Sequence, residues 1–337
     1  MKLIRYLLFP IVPIYYLVTW LRNKFYDWGI FKSTEHDVPT ICVGNLSVGG
    51  TGKTPMIEYL IRLLKEDYQL ATLSRGYKRS TKRFVIADEA ATALTIGDEP
   101  FLIYSKFDTI IVCVDADRRN AITKLMQLEN PPKLILLDDA FQHRKVKAKL
   151  NILLTSYTNL YADDILLPTG NLREPKSNAK RADVIVVTKC PESISDSDKK
   201  IIIELLKPKN HQRIFFSWIE YSNVIKSTFE EKKLEDLIGK NFTLVTGIAN
   251  PKPLVDYLQS KNFNFEHLDF PDHHEFTSKE IENLKTQEFI ITTEKDFMRL
   301  SPNFIGNKSL FYLPIELKID RPKAFEMLVK GKIRLNV

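Results

Sequence analysis

Between residues 38 and 189 short apolar runs alternate with stretches of helical periodicity. Runs at 39–43, 70–74, 84–87, 109–114, 134–137, 150–154 and 184–188 predict strands, and segments such as 55–65, 100–105 and 119–128 predict helices between them. Near-continuous apolar strands alternating with helices imply a mostly parallel sheet covered on both faces, with ligands bound at the carboxyl ends of its strands. After a further apolar run at 214–219, the Lys/Glu-rich stretch 226–240 reads as a connector. A second, smaller α/β unit follows, with alternating segments at 242–246, 253–259, 263–268, 278–284, 289–293 and 310–313. The pattern divides the chain into an N-terminal segment (1–32), a core (33–215) and a linker with a smaller C-terminal lobe (216–337).

The loop after the first strand sets the class of the core. Val43-Gly44-Asn45-Leu46-Ser47-Val48-Gly49-Gly50-Thr51-Gly52-Lys53-Thr54 lies between an apolar strand and an amphipathic helix, the context of a phosphate-binding loop. The fold class expected is therefore α/β: a P-loop NTPase core with helices flanking a mostly parallel sheet, plus the C-terminal α/β lobe. Backbone N–H groups of Ser47, Val48, Gly49, Gly50, Thr51 and Gly52 would surround an anion at a positive helix end. Lys53 would reach the β- and γ-phosphates, and the Thr54 hydroxyl would bind Mg²⁺. The first position of the G-x-x-x-x-G-K-[ST] pattern is Ser47. Thr188-Lys189-Cys190-Pro191, after the strand at 184–187, lacks the Asp of the guanine-reading N-K-x-D pattern, so ATP is the expected nucleotide.

The N-terminus carries Lys2 and Arg5, then no charge from Tyr6 to Leu21, then Arg22 and Lys24. That run is shorter than the ~20 apolar residues a spanning helix needs, and Pro10 and Pro13 interrupt it. Tyr15, Tyr16 and Trp20 favour the headgroup boundary, so the segment is expected to lie on a membrane as an interfacial helix. No small-x-small cleavage site follows it, which argues against a secretory signal. The net charge of +7 among 337 residues suits an anionic partner: nucleic acid, a membrane surface or a phosphorylated substrate. No nucleic-acid-binding signature accompanies the charge. Cys42, Cys113 and Cys190 have no ligand or disulfide spacing and read as core residues.

Several polar clusters end apolar runs. The run at 134–137 leads into Asp138-Asp139, as in the acidic strand that delivers carboxylates to Mg²⁺ in P-loop proteins; an acidic turn is the plain alternative. Gln142 and His143 follow and would orient groups there or form a surface turn. Gly97-Asp98-Glu99-Pro100 opens a helix, and a carboxylate there either caps it or accepts a hydroxyl proton. Phe270-Pro271-Asp272-His273-His274-Glu275-Phe276 is a histidine-bearing loop of the second lobe. In it one His would polarise a catalytic carboxylate across the cleft. Arg173, in the turn-rich stretch 166–175, would stabilise phosphoryl charge, and Arg75, in Ser74-Arg75-Gly76-Tyr77, would meet an acidic acceptor or sit in a solvated turn.

Taken in order, these segments resemble the tetraacyldisaccharide 4′-kinase family, the lipid A 4′-kinases of Gram-negative bacteria. The resemblance extends through Leu167-Pro168-Thr169-Gly170-Asn171-Leu172-Arg173-Glu174-Pro175, Thr246-Gly247-Ile248, Asp272-His273-His274 and Thr292-Thr293-Glu294-Lys295-Asp296. Ser47 is usual in that family, whereas Ala140, Thr169 and Asn171 depart from its pattern. The resemblance implies transfer of the ATP γ-phosphate to the 4′-hydroxyl of a tetraacylated disaccharide 1-phosphate, with ATP and Mg²⁺ as cofactors. It implies Asp98 as the proton-accepting carboxylate with His273 as its dyad partner, the two meeting when the lobes close. It also implies Lys53 on the phosphates, and Thr54, Asp138, Asp139 and Glu174 around Mg²⁺. Arg118 and Arg173, with Arg75, Glu99, Gln142 and His143, would serve phosphate or substrate. The partners implied are a glycolipid and the cytoplasmic face of the bacterial inner membrane, with no nucleic acid and no obligate protein partner. The competing reading is a P-loop ATPase or GTPase that switches or delivers cargo at the membrane.

Overall fold

The computed structural model describes Arg5 and residues 7–334. Lys2 of the expected basic flank, with Tyr6 at the start of the uncharged run, lies outside the described residues. A short turn at Phe9–Ile11 leads into α1 (Val12–Asp27). Pro13 sits in the first turn of α1, where its missing N–H is not needed, so the prolines start this helix instead of breaking it. Among the described residues no helix is long and apolar enough to cross a membrane.

The core then runs β1 (Thr40–Asn45), α2 (Lys53–Leu64), β2 (Leu70–Ser74), β3 (Val85–Ile86), α3 (Asp98–Lys106), β4 (Ile111–Val114), α4 (Arg118–Leu125), β5 (Leu134–Asp138), β6 (Leu150–Ser156), β7 (Val184–Thr188), α5 (Asp196–Leu206) and β8 (Arg213–Tyr221). The second lobe comprises β9 (Val224–Lys226), β10 (Glu231–Lys233), β11 (Asn241–Thr246), α6 (Lys252–Ser260), β12 (Asn264–Asp269), α7 (Ser278–Lys285), β13 (Ile290–Thr292), α8 (Glu294–Leu300) and β14 (Leu310–Tyr312). The chain ends through β15 (Ile315–Ile319) and α9 (Pro322–Ile333).

The large sheet has the order β15-β8-β7-β6-β1-β5-β2-β4-β3. Only its outermost strands, β15 and β3, pair antiparallel. Successive residues of a strand serve opposite cores, as Cys42 packs on one face and Ile41 and Val43 on the other. That double burial is why these strands read as continuous apolar runs. The three cysteines are buried and unpaired. The smaller sheet, β10-β9-β14-β13-β11-β12, has a parallel centre.

Two features differ from the sequence reading. The stretch 226–240 is more than a connector, because β9 and β10 form the edge of the second sheet. The division after residue 215 is also crossed. β8 continues to Tyr221, and β15 and α9 return to the large sheet, where Phe325, Val329 and Ile333 help cover one face.

Candidate active site

The polar residues of the core gather where parallel strands end: the loop after β1, Asp138 and Asp139 at β5, Arg75 after β2, Arg118 after β4 and Thr188 at β7. In the first loop the left-handed conformations fall at Gly49 (φ 105°) and Gly52 (φ 83°), where a side chain would be strained. Ser47 is not among the positive-φ residues; it bridges Leu172, and Val48 N–H donates to the Asn171 carbonyl at 2.8 Å. A serine therefore fits where the general pattern has glycine. Asn45 Nδ2 donates to Thr51 Oγ1, and Thr188 Oγ1 to the Thr51 carbonyl, each at 2.8 Å. The loop is held open by its own neighbours, with Lys53 and Thr54 opening α2.

Lys53 Nζ lies 3.7 Å from Asp139 Oδ1, and Arg173 Nη1 donates to both Asp139 oxygens at 3.0 and 3.1 Å. Asp138 differs. Its Oδ1 is buried with no hydrogen-bond partner. Burial, then the charge of Asp139, pushes its carboxyl up to about 6. An unpartnered buried carboxylate oxygen beside a second carboxylate fits a bound Mg²⁺. Among the described residues no three His, Cys, Asp or Glu side chains are grouped to hold a metal. Mg²⁺ does not need such a cage, since it keeps waters and phosphate oxygens as ligands.

Glu174 does not join that pair in this structure. Its Oε1 accepts from Gln142 Nε2 (3.0 Å) and Arg181 Nη2 (2.6 Å), and its Oε2 from Asn178 Nδ2 (2.8 Å) and Asn23 Nδ2 (3.3 Å). Four donors use up the carboxylate, and one of them comes from α1. Gln142 also donates to the Asn45 carbonyl at 2.8 Å, so it braces the phosphate loop. His143 has Nε2 buried and unpartnered, and burial, then Arg118, pushes its imidazole down to about 4. Arg118 is 3% exposed, donates to the Asp115 and Ala116 carbonyls and faces the Asp138–Asp139 pair. Arg75 is exposed on the same side.

The second cluster spans the lobes. Gly97 (φ 97°) turns the chain into α3, whose first residue is Asp98. Asp98 Oδ2 accepts from His273 Nδ1 at 2.8 Å and from Arg299 Nη2, so the pair implied by the resemblance is in contact. Lys295 Nζ is 3.1 Å from His273 Nε2 and 3.4 Å from Glu99 Oε1. Burial favours the neutral Asp98 acid, but the hydrogen bond and charge of Arg299, then His273, outweigh it and hold the carboxyl below its usual range. Glu99, beside Asp98, lies near enough to Asp138 for its charge to raise that carboxyl.

Arg299 was not among the residues singled out by sequence, and Lys295 was quoted only within a motif. The spacing was present, since Lys295 and Arg299 stand four apart and share a face once the segment is a helix, but no helix was predicted there. A buried ion pair was also missed. Lys106 Nζ contacts Glu58 Oε2 at 2.6 Å and Glu294 Oε2 at 2.7 Å, tying α2 to α8 through α3.

Residues 4–334 match the sequence profile of the Tetraacyldisaccharide-1-P 4'-kinase family. The tetraacyldisaccharide 4'-kinase of Flavobacterium johnsoniae is 49% identical, over 100% of this chain and 99% of that protein. That of Bacteroides thetaiotaomicron is 41% identical, over 98% of this chain and 93% of its own. Among solved structures, "apo" form LpxK from Aquifex aeolicus in complex with ATP superposes with a TM-score of 0.79 at 31% identity, covering 98% of this chain and 100% of that one.

Proposed function

The chain belongs to the tetraacyldisaccharide-1-P 4′-kinase family, and we propose that its phosphate loop and its interlobe Asp98–His273 pair act together on the two substrates. It is an ATP-dependent kinase of lipid A biosynthesis, with an α/β fold shared with the Aquifex aeolicus protein. The acceptor is the 4′-hydroxyl of a tetraacyldisaccharide 1-phosphate, a glycolipid. Asp98 Oδ1 accepts the hydroxyl proton, and an oxygen electron pair forms the new bond to the γ-phosphorus. The bond from that phosphorus to the β–γ bridging oxygen breaks, and ADP leaves with its electrons. Lys53 and the loop N–H groups hold the phosphates. A magnesium ion held by Thr54, Asp138 and Asp139 would neutralise charge on the β- and γ-phosphates. Arg173, fixed on Asp139, and the buried Arg118 add positive charge on that side. Glu174 positions the loop that carries Arg173.

The observation that carries this reading is the contact of Asp98 with His273 across the two lobes. α1 supports a place for the acceptor: Ile14, Leu17 and Val18 are 64%, 53% and 60% exposed, while Tyr15 Oη donates to the Arg173 carbonyl at 2.8 Å. One face of α1 lies on the core, and the other suits the interface of the cytoplasmic leaflet, peripherally bound. The test is transfer from γ-labelled ATP in detergent micelles, with and without tetraacyldisaccharide 1-phosphate. Label in the glycolipid, lost in Lys53→Ala and Asp98→Ala, is expected, with Asp98→Ala losing turnover and keeping ATP affinity. Free phosphate released regardless of lipid would instead favour an ATPase switch.

A further inference from the structure

The geometry points to Arg299 and Lys295 as a two-point cationic clamp on the Asp98–His273 pair, one cation per partner, that fixes which atom of the pair meets the acceptor hydroxyl. This rests on the assignment of Asp98 as the proton acceptor. Arg299 and Lys295 stand four residues apart on α8, on the far side of the interlobe cleft from Asp98. Arg299 Nη2 and His273 Nδ1 converge on the same oxygen, Oδ2, and therefore lie 3.0 Å from each other. Asp98 Oδ1 has no protein donor among the described residues, so it is the oxygen left for a substrate proton. Lys295, which can only donate, meets His273 at Nε2. With Lys295 donating at Nε2, the neutral imidazole carries its hydrogen on Nδ1, the tautomer that donates to Asp98.

The clamp is itself anchored. Arg299 Nη1 donates to Asp296 Oδ1 at 3.3 Å, and Asp296, fully buried, takes Gly247 N–H at 2.9 Å and Thr293 Oγ1 at 2.7 Å on Oδ2. The motif residues Gly247, Thr293 and Asp296 thus hold a guanidinium at a set place. Among the described residues neither cation makes a hydrogen bond or ion pair with the nucleotide loop. Both are positioning residues, acting through Asp98 and His273. The charged and titratable groups facing Asp98 are His273 and Asp272 from the loop after β12, Lys295, Asp296 and Arg299 from α8, and Glu99 from its own helix.

The sign of the pH effect follows. Asp98 works as a carboxylate, and Arg299 favours that form against burial. Removing Arg299 takes away the largest contribution opposing burial and leaves only His273 and Lys295 against it, so the acid limb of the rate profile moves to higher pH. Below that limb the rate falls about tenfold per pH unit. The experiment measures kcat and KM for ATP of the full chain in micelles, from pH 5.5 to 9, for wild type, Arg299→Met, Arg299→Lys, Lys295→Met and Asp98→Asn. Arg299→Met should lose more kcat at pH 5.5 than at pH 9, with KM for ATP within about twofold. Arg299→Lys, which keeps a charge without the fork, should shift the limb less, and it still decides the matter if the Met variant does not fold. Lys295→Met should lose kcat, not ATP affinity. An Arg299→Met deficit equal at every pH, or one confined to KM, would overturn the clamp. Asp98→Asn retaining the wild-type rate would instead remove the proton-acceptor assignment beneath it.

Discussion

Replacing Lys106 with Met leaves Glu294 as a buried carboxylate without its cation. Lys106 Nζ donates to both Glu294 oxygens, at 2.8 and 2.7 Å, and no other ion pair to Glu294 is present among the described residues. Glu58 keeps Arg62 at 2.9 Å, so the damage falls on Glu294, which is 7% exposed. Met retains the aliphatic stem, which confines the change to charge. The stranded carboxylate has one escape, protonation. For an ordinary carboxyl of pKa ~4.3 that costs about 3.7 kcal/mol at pH 7 and about 1 kcal/mol at pH 5. The first figure caps the loss at neutral pH and falls within the ~3–5 kcal/mol of a broken buried pair. Burial already raises the Glu294 pKa above its usual value, against the opposing pull of Lys106. A carboxyl raised in the folded state contributes stability at low pH that is lost as pH climbs through its titration. The deficit of Lys106→Met must therefore widen from pH 5 to pH 7. Urea unfolding of the full chain at both pH values, for Lys106→Met, Glu294→Gln and the double variant, measures it. The double variant should recover at least half the pH 7 loss, since an amide strands no charge. A deficit equal at both pH values and undiminished in the double variant would refute the reasoning.

Gly247→Ala would place a Cβ 2.9 Å from Asp296 Oδ1, the atom that holds Arg299. It should cost about 1–3 kcal/mol of stability and lower kcat with little change in KM for ATP, by thermal melts and steady-state kinetics; a wild-type kcat would refute it. Asn23→Leu removes a buried donor from Glu174 and from the contact between α1 and the core. A loss of about 1–3 kcal/mol in urea unfolding is expected, and no loss would mean that α1 docks through its apolar contacts alone. Ile14→Glu with Leu17→Glu places charge on the exposed face of α1 and should weaken flotation with anionic vesicles by at least about 100-fold, because each side chain contributes about 1.5–3 kcal/mol of burial. Unchanged flotation would move the membrane contact elsewhere.

The nucleotide half of the site was legible in the sequence because its residues are contiguous. Strand, loop and helix follow one another from Thr40 to Leu64, and the doubly buried strands announce themselves as apolar runs. The interlobe half was legible only in part. Asp98 and His273 sit in recognisable motifs 175 residues apart, but Arg299 on a seven-residue helix looks like any solvated cation. Its role appears only when β11 and β13 pair and bring Gly247 onto Asp296. β9 and β10 were hidden for another reason. Each is three residues long, and β10, the edge strand, is Glu-Lys-Lys; edge strands use charge to avoid further pairing, which makes this stretch read as linker. β15 pairs with β8 from nearly a hundred residues away, and no local pattern carries that information.

Glu174 is bonded here to protein donors and not turned toward the Asp138–Asp139 pair. A conspicuous carboxylate after Arg173 invites a place at the metal, yet freeing it for an ion would break four hydrogen bonds to a charged acceptor, each of the order of 1.5–3 kcal/mol. Asp138, with an oxygen already unpartnered, demands no such sacrifice. The same bonds explain why a carboxylate is needed at 174. It gathers Asn23 of α1, Gln142 of the loop after β5, and Asn178 and Arg181 of its own segment around one charge. Tyr15 on the Arg173 carbonyl and Arg22 on the Gln142 carbonyl add two further ties from α1. Thr169 and Asn171, the two departures from the family pattern in this loop, both contact Arg5. The segment expected to meet the membrane is thus bonded to the loops whose Arg173 and Gln142 brace Asp139 and the phosphate loop. An acceptor held at the bilayer surface by α1 would then be delivered to a site whose geometry α1 itself helps to set.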